Sequence, residues 1–281
     1  MRHRLKNVKN SYNGNGSLFM GHMIHVPMDA PLIGAGGPQQ INEVSDTQLY
    51  VLGARLVTGD GRVFRYGKLG GTITSTKHGL KNNNTLVTEK GEIVSACAAG
   101  ATSLTVTFNG DFNDVALAAD ELYGGYISLY NSSSIRDQRM IIGNTAVLTA
   151  GGACTIEIDE PIVTAVAAAF NCEVIGNPYS NLVNANDLQS SVMGMPASYG
   201  TSGQYIWIQT WGPYRVTPTG AEVGTNNDER MFHFDAYGSL RASQASIVTQ
   251  AKSEQIAGFT IEKTAGSAGS AAPFIMLMIS P

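Results

Sequence analysis

The chain has 281 residues, a net charge of −4, 14% charged against 43% hydrophobic residues, and 32 glycines. That balance excludes a general electrostatic footprint for nucleic acid and disfavours long solvated helices, leaving many short strands joined by turns. The three cysteines, Cys97, Cys154 and Cys172, form no CxxC pair and are odd in number, which argues against a disulfide framework or a zinc site. Buried free thiols fit best, with one disulfide plus one free thiol as the alternative.

Residues 1–45 open with Arg2, Arg4, Lys6 and Lys9 and continue without a sustained helical or strand period, so they read as an extended N-terminal arm. No signal-peptide core and no apolar run of about 20 residues follows, so neither secretion by a signal peptide nor a membrane span is expected. Phe19, Met20, Met23, Ile24, Val26 and Met28 have too little local context to form a core. They are expected to contact another surface or subunit, the alternative being a flexible tail.

From Asp46 the pattern turns to β structure, with short strands expected at 49–51, 56–58 and 63–66. Asp60-Gly61 between β-favouring residues suits a type I′ hairpin turn, in which both central residues take positive φ. Arg55, Arg62 and Arg65 would decorate the ribbon.

After the polar stretch 81–85, a second rhythm of strands and turns runs to about Asn177. Leu104, Val106 and Phe108 alternate with Ser103, Thr105 and Thr107, the signature of a half-buried strand. Two alanine-rich pieces, 115–121 and 162–170, are expected to be short helical turns. The Asn-, Ser-, Gly- and Pro-rich stretch around 181–199 reads as a linker.

The segment from Gly203 to Gly224 carries both tryptophans. Alternation places Tyr205, Trp207, Gln209 and Trp211 on one face and Ile206, Ile208 and Thr210 on the other, a strand buried on both sides and stopped by Gly212-Pro213. Trp207, Trp211, Phe64 and Tyr66 are the candidate core organisers, since each large ring buries roughly 150–250 Å² when enclosed. Further strands are expected at 231–234, 246–249, 256–261 and 274–279, with 266–272 as a loop. The expected architecture is all-β: 46–90 plus 200–281 form one barrel-like or sandwich-like module, and 91–180 is a second β module inserted within it.

Chemistry-bearing patterns are sparse. His22 and His25 lie near Asp29, but Gly21 and Pro27 oppose the helix that would align them on a metal. Asp111, Asp114, Asp120 and Glu121 lack the calcium-loop order. No GxSxG elbow and no local Cys/His signature occurs, and His78 and His233 sit alone between turn and strand residues. Asp159, Glu160 and Asp235 are the first carboxylates to examine for glycoside hydrolysis. Tyr123, Tyr126, Tyr130 and Tyr205 are candidates for a sugar-binding platform, with core packing as the plainer reading. No enzyme activity, catalytic residue, metal or cofactor is expected.

The stretches LYVLGARLVTGDGRVFRYGKLGG, DELYGGYISLYNSSSIRDQRMIIGN, VIGNPYSNLV and YIWIQTWGPYRV, in that order, resemble tailed-bacteriophage virion proteins. The likeness spans about 46–281, and its last part, 203–279, is similar to the small β domain of head decoration (capsid cement) proteins. The resemblance implies a structural protein that binds the assembled shell through the major capsid protein and stabilises it. It implies residence on the capsid surface after assembly in the host cytoplasm, and other copies of itself as partners in a homo-oligomer, commonly a trimer in that group. A tail, fibre or baseplate component recognising a host sugar or protein is the alternative, and no specific nucleic acid or membrane partner is implied.

Overall fold

The computed structural model describes residues 22–25, 39–76, 78–83, 89–108, 117–131, 134–147, 152–186, 191–215, 230–235, 237–242, 255–262 and 274–281. Among them it is all-β, without helices. The chain forms two compact units, 1–83 with 179–281, and 84–178.

The second unit is a closed barrel of six antiparallel strands: β5 (Glu89–Ile93), β6 (Ser103–Phe108), β7 (Tyr126–Asn131), β8 (Ser134–Asn144), β9 (Ala153–Ile158) and β10 (Asn171–Ile175). The order around the barrel is β10-β5-β6-β9-β8-β7, and β7 closes it by pairing with β10. Period-two alternation aims Leu104 and Val106, Cys154, Ile156 and Ile158, and Cys172 and Val174 inward, while Ser103 and Thr105 face out. Closure leaves no unpaired sheet edge.

The two alanine-rich pieces are not helical where described. Residues 117–124 and 162–170 are turns and isolated bridges that carry Leu117, Leu122, Ile162 and Val166 into the barrel core. Cys97 and Val166 exchange both main-chain hydrogen bonds, at 2.9 and 3.0 Å, and Asp120 and Ala169 adopt positive φ. These bridges satisfy the main-chain groups that a helix would satisfy internally, so alanine propensity is overridden.

The first unit holds an eleven-stranded sheet that curls into a half-barrel. Its strands are β1 (His22–His25), β2 (Arg55–Thr58), β3 (Val63–Lys68), β4 (Leu80–Asn82), β11 (Leu182–Asn184), β12 (Val192–Pro196), β13 (Tyr205–Arg215), β14 (Met231–Phe234), β15 (Leu240–Ala242), β16 (Ile256–Glu262) and β17 (Phe274–Met278). The main order is β1-β2-β3-β13-β17-β16-β14-β15, with β12 leading from β13 to β4 and β11. The stretch read as a linker, 181–199, is therefore partly sheet, because Leu182 and Val192 supply buried apolar positions between the polar residues. The stretch 49–51 is irregular rather than a strand, with Tyr50 and Val51 buried.

Between β2 and β3 the turn differs from the expected type. Gly61 N–H donates to Thr58 O at 2.9 Å, and Gly61 alone has positive φ, at 83°, so Asp60 is spared the left-handed region. The Asp60 carboxylate instead accepts from Thr58 Oγ1 and from Arg62 Nε at 2.8 Å. Those bonds, the Thr58 hydroxyl foremost, hold its carboxyl below the usual range.

Of the arm residues singled out, Met23 and Ile24 lie in β1, whose backbone pairs with β2 in the register Met23↔Val57 and Ile24↔Leu56. Phe19, Met20, Val26 and Met28, the basic start, the strand expected at 246–249 and the loop at 266–272 lie outside the described residues.

Candidate functional site

Strand β13 runs through Gly212 and Pro213 to Arg215, past the expected stop. Its register with β3 explains how. Gln209 pairs with Phe64 and Trp211 with Val63, so two steps on β13 match one on β3, with Thr210 as the extra residue. Such a bulge reverses which face the following side chains occupy. Trp207 and Trp211 thus point to opposite faces, against the simple alternation read from sequence.

The bulge is held by hydrogen bonds on both sides. Thr210 Oγ1 donates to Ser280 O at 2.7 Å, while Ile279 and Ser280 N–H donate to Thr210 O at 2.9 and 3.2 Å. Gln209 Nε2 donates to Trp211 O at 3.1 Å and Pro213 O at 3.0 Å, in place of the β3 ladder that has ended there. A proline, lacking N–H, is tolerated on such an unpaired side. Gly212 has φ of 99°, and a Cβ there would lie 2.9 Å from Arg62 Cα, so glycine alone fits the bend.

On the Trp207 face lies an aromatic cluster. Trp207 is 0% exposed, and its ring centroid is 5.0 Å from Tyr66 and 5.3 Å from Tyr50, while Tyr66 stacks on Tyr205 at 5.9 Å. Phe64 is buried on the same strand as Tyr66. Gln39, which the sequence did not single out, threads this cluster. Its side chain accepts from Tyr66 OH at 2.8 Å and donates to Tyr205 O at 2.8 Å and Glu43 O at 2.9 Å, and its main-chain oxygen accepts from Trp207 Nε1 at 3.2 Å. Every polar group of the cluster that these bonds reach is paired, as burial demands. The cluster is therefore scaffold.

Trp211 belongs to a different surface. It pairs with Met278, Pro213 with Met276, and Arg215 with Phe274; Met276 pairs in turn with Phe259, and Phe259 with Met231. On β17 the alternation is clean: Ile275 and Leu277 enter the core, and Phe274, Met276 and Met278 point away from it. A second bulge sets both Ile261 and Glu262 opposite Phe274. The outer face of β13, β17, β16 and β14 thus presents an apolar row, Pro213, Met276, Phe259 and Met231, flanked by Trp211, Met278, Phe274 and Ile261. Phe274 is 48%, Met231 44% and Phe259 43% exposed. With Phe274, Met231, Phe259, Ile261 and Met278 exposed and Met276 and Trp211 half-buried, the face presents on the order of 500 Å² of apolar surface, within the range of the largest patches on monomers and usually functional.

The other sequence candidates are divided between the two units. Asp235 lies in the first unit, where it accepts from Tyr237 and Ser239 N–H, both at 2.9 Å, and pairs with Arg241 at 2.9 Å. It is a loop-binding carboxylate. His78 Nδ1 lies 3.0 Å from Ser239 Oγ, but Ser239 is buried, so the pair ties residue 78 to the end of β15 rather than offering a nucleophile. Asp159 and Glu160 lie in the barrel unit and line an open cleft of about 430 Å³ with Tyr126, Gln138, Arg139 and Met140. Arg139 is committed to structure there, meeting Asp137 at 2.6 Å and Pro161 O at 3.1 Å. Tyr205 belongs to the first unit, and Tyr123, Tyr126 and Tyr130 belong to the barrel unit. Among the described residues no group of three or more His, Cys, Asp or Glu has metal-binding geometry, and His22 and His25 are described by backbone alone.

No protein-family model, no curated protein and no solved structure matches the chain.

Proposed function

We propose that this chain is a structural component of a phage particle, a head decoration protein that binds the assembled shell through the major capsid protein and strengthens it by contact rather than catalysis. The observation that carries the reading is the outer apolar face of the curled sheet. Such a surface is costly to leave in water and suits burial against other protein in an assembly. The motif resemblance supplies the particle. Repetition over a lattice lets individually weak contacts act together, so no single interface has to be large. The arm, whose residues 22–25 already add a strand beside β2, is the element assigned to shell contact, through Phe19, Met20, Met23, Ile24, Val26 and Met28. Cryo-EM reconstruction of particles carrying the chain is the test. Density for it at regular sites on the capsid lattice is expected, and its absence from the shell overturns the reading.

A second reading, recognition of a host-surface saccharide from a tail or fibre, is favoured by the barrel cleft. There Tyr126, 42% exposed, stands beside Gln138, Asp159 and Glu160, an aromatic plane next to groups able to bond sugar hydroxyls. Chemical-shift changes on adding neutral oligosaccharides, abolished by Tyr126→Ala, would support it; a silent titration removes it.

A further inference from the structure

We infer that the outer apolar face of the curled sheet pairs with the same face of a second copy of this chain. The inference rests on reading the chain as an assembly component and adds which partner covers this face.

The face is self-complementary in its register. Consider a two-fold axis in the contact plane along β17. It sets Met276 against Met276 of the second copy, and Pro213 against Phe259, because Pro213 and Phe259 flank Met276 on β13 and β16. In the next row the same axis sets the basic position Arg215 against the acidic position Glu262, which flank Phe274 in register. An isologous contact requires this reciprocity: residue i meets j, and j meets i. Two sheets packed face to face lie about 10 Å apart, a gap filled by methionine and aromatic side chains.

Charge points the same way. With a net charge of −4, two copies repel unless the contact is neutral or carries both signs. The row from Pro213 to Met231 contains no charged residue, and the flanking row carries one of each sign.

Area sets the strength. Two such faces bury on the order of 1,000 Å² in total, the lower limit for a specific interface. Pairing in solution is therefore expected in the micromolar range, and is reinforced when copies are arrayed on a lattice.

Sedimentation velocity of the full chain over a concentration series tests this. The wild type is expected to shift from monomer to dimer through micromolar concentrations, and Phe259→Glu to remain monomeric with an unchanged melting temperature. Arg215→Glu and Glu262→Arg are each expected to weaken pairing about tenfold by setting like charges together. The double exchange, R215E with E262R, is expected to restore it. A bismaleimide whose span matches the gap of about 10 Å, too wide for a direct disulfide, is expected to link Met276→Cys into a covalent dimer and to leave the wild type, with its own three cysteines, unlinked. A wild type that stays monomeric throughout, a Phe259→Glu that still dimerises, or a double exchange that fails to recover overturns the pairing. Particle occupancy separates the two readings. Should Phe259→Glu lose its place on particles while wild type and variant share one monomeric solution state, the self-contact falls and the assembly role stands. A monomeric Phe259→Glu beside a dimeric wild type upholds the self-contact even if neither occupies particles.

Discussion

In the six-stranded barrel every strand has two neighbours, and alternate Leu, Ile, Val and Cys side chains turn into one aliphatic core, with Ile135 and Ile175 left exposed singly. The curled sheet of the first unit uses the same alternation but keeps apolar residues on both sides of β17, burying Ile275 and Leu277 and leaving Phe274 and Met278 outside. Closure satisfies a barrel by itself, whereas an open sheet with two apolar faces is complete only when something covers the second one. The difference is that the barrel's exposed apolar residues stand singly, whereas the curled sheet carries a continuous apolar row on its outer face.

The chain carries its own reporters for this comparison. Both tryptophans lie in the first unit, and all three cysteines lie in the barrel unit. Tryptophan emission therefore follows one unit and thiol reactivity the other. The largest effect is expected from Trp207→Ala, which removes a fully buried ring at the centre of the aromatic cluster. A loss of about 3–5 kcal/mol is expected, read from denaturant unfolding followed by the emission of Trp211. Thiol protection in the barrel should be unchanged; thiols that become reactive together with the loss of the Trp signal would break the distinction between the units.

The reciprocal cut is Ile156→Ala in the barrel, where the side chain is 0% exposed. A loss of about 2–5 kcal/mol is expected there, with thiols released earlier and tryptophan emission unaltered. In the intact barrel burial raises all three thiols, Cys172 to about 12, so reaction with a disulfide reagent near pH 8 should be slow. Cys97, half-buried where the other two are buried, should react first.

Alkaline pH sharpens the contrast in a third way. Burial raises the phenols of Tyr50, Tyr66 and Tyr214 in the first unit, that of Tyr214 to about 12. Groups raised in the folded state stabilise it fully below their unfolded value of about 10, and that contribution is lost as pH climbs toward the folded value. The melting temperature of the first unit, followed by tryptophan emission, should fall between about pH 10 and 12. Replacing Tyr214 by Phe should reduce the slope; an unchanged slope would assign the loss to other groups.

Much of the fold was legible because strand period and turn chemistry are local. The all-β class, the alternation in β6 and the burial of Trp207 follow from residue order alone. Three features were not legible, each for a physical reason. The alanine-rich pieces gave way to bridges such as Cys97 with Val166, a partner 69 residues away that no window contains. Gln39 anchors the aromatic cluster through Tyr205 and Trp207, more than 160 residues distant, and nothing in its neighbourhood announces that role. The outer apolar face was hidden by one inserted residue, since strict alternation assigns Trp211 to the core. Gly212-Pro213 was the available signal: read as a break, it marks instead the end of the bulge.

The smallest expected effect on stability is therefore the most informative. Trp207 and Trp211 are four residues apart on one strand, and period two alone makes them equivalent. Trp211 is half-buried, pairing with the buried Val63 on one side and the exposed Met278 on the other. Truncating it removes contacts at the edge of that face without opening a cavity in the core, so Trp211→Ala should cost about 1 kcal/mol or less. The same substitution should weaken self-association, because aromatic anchors dominate contact surfaces. A loss as large as that of Trp207→Ala, with association intact, would return Trp211 to the core and remove the bulge's consequence. Deleting Thr210 tests what the bulge holds: Trp211 then follows Gln209 directly and keeps its register opposite Val63, while the bonds that Thr210 makes to Ile279 and Ser280 are lost, so the first unit should lose stability with the emission of Trp211 still that of a half-buried ring.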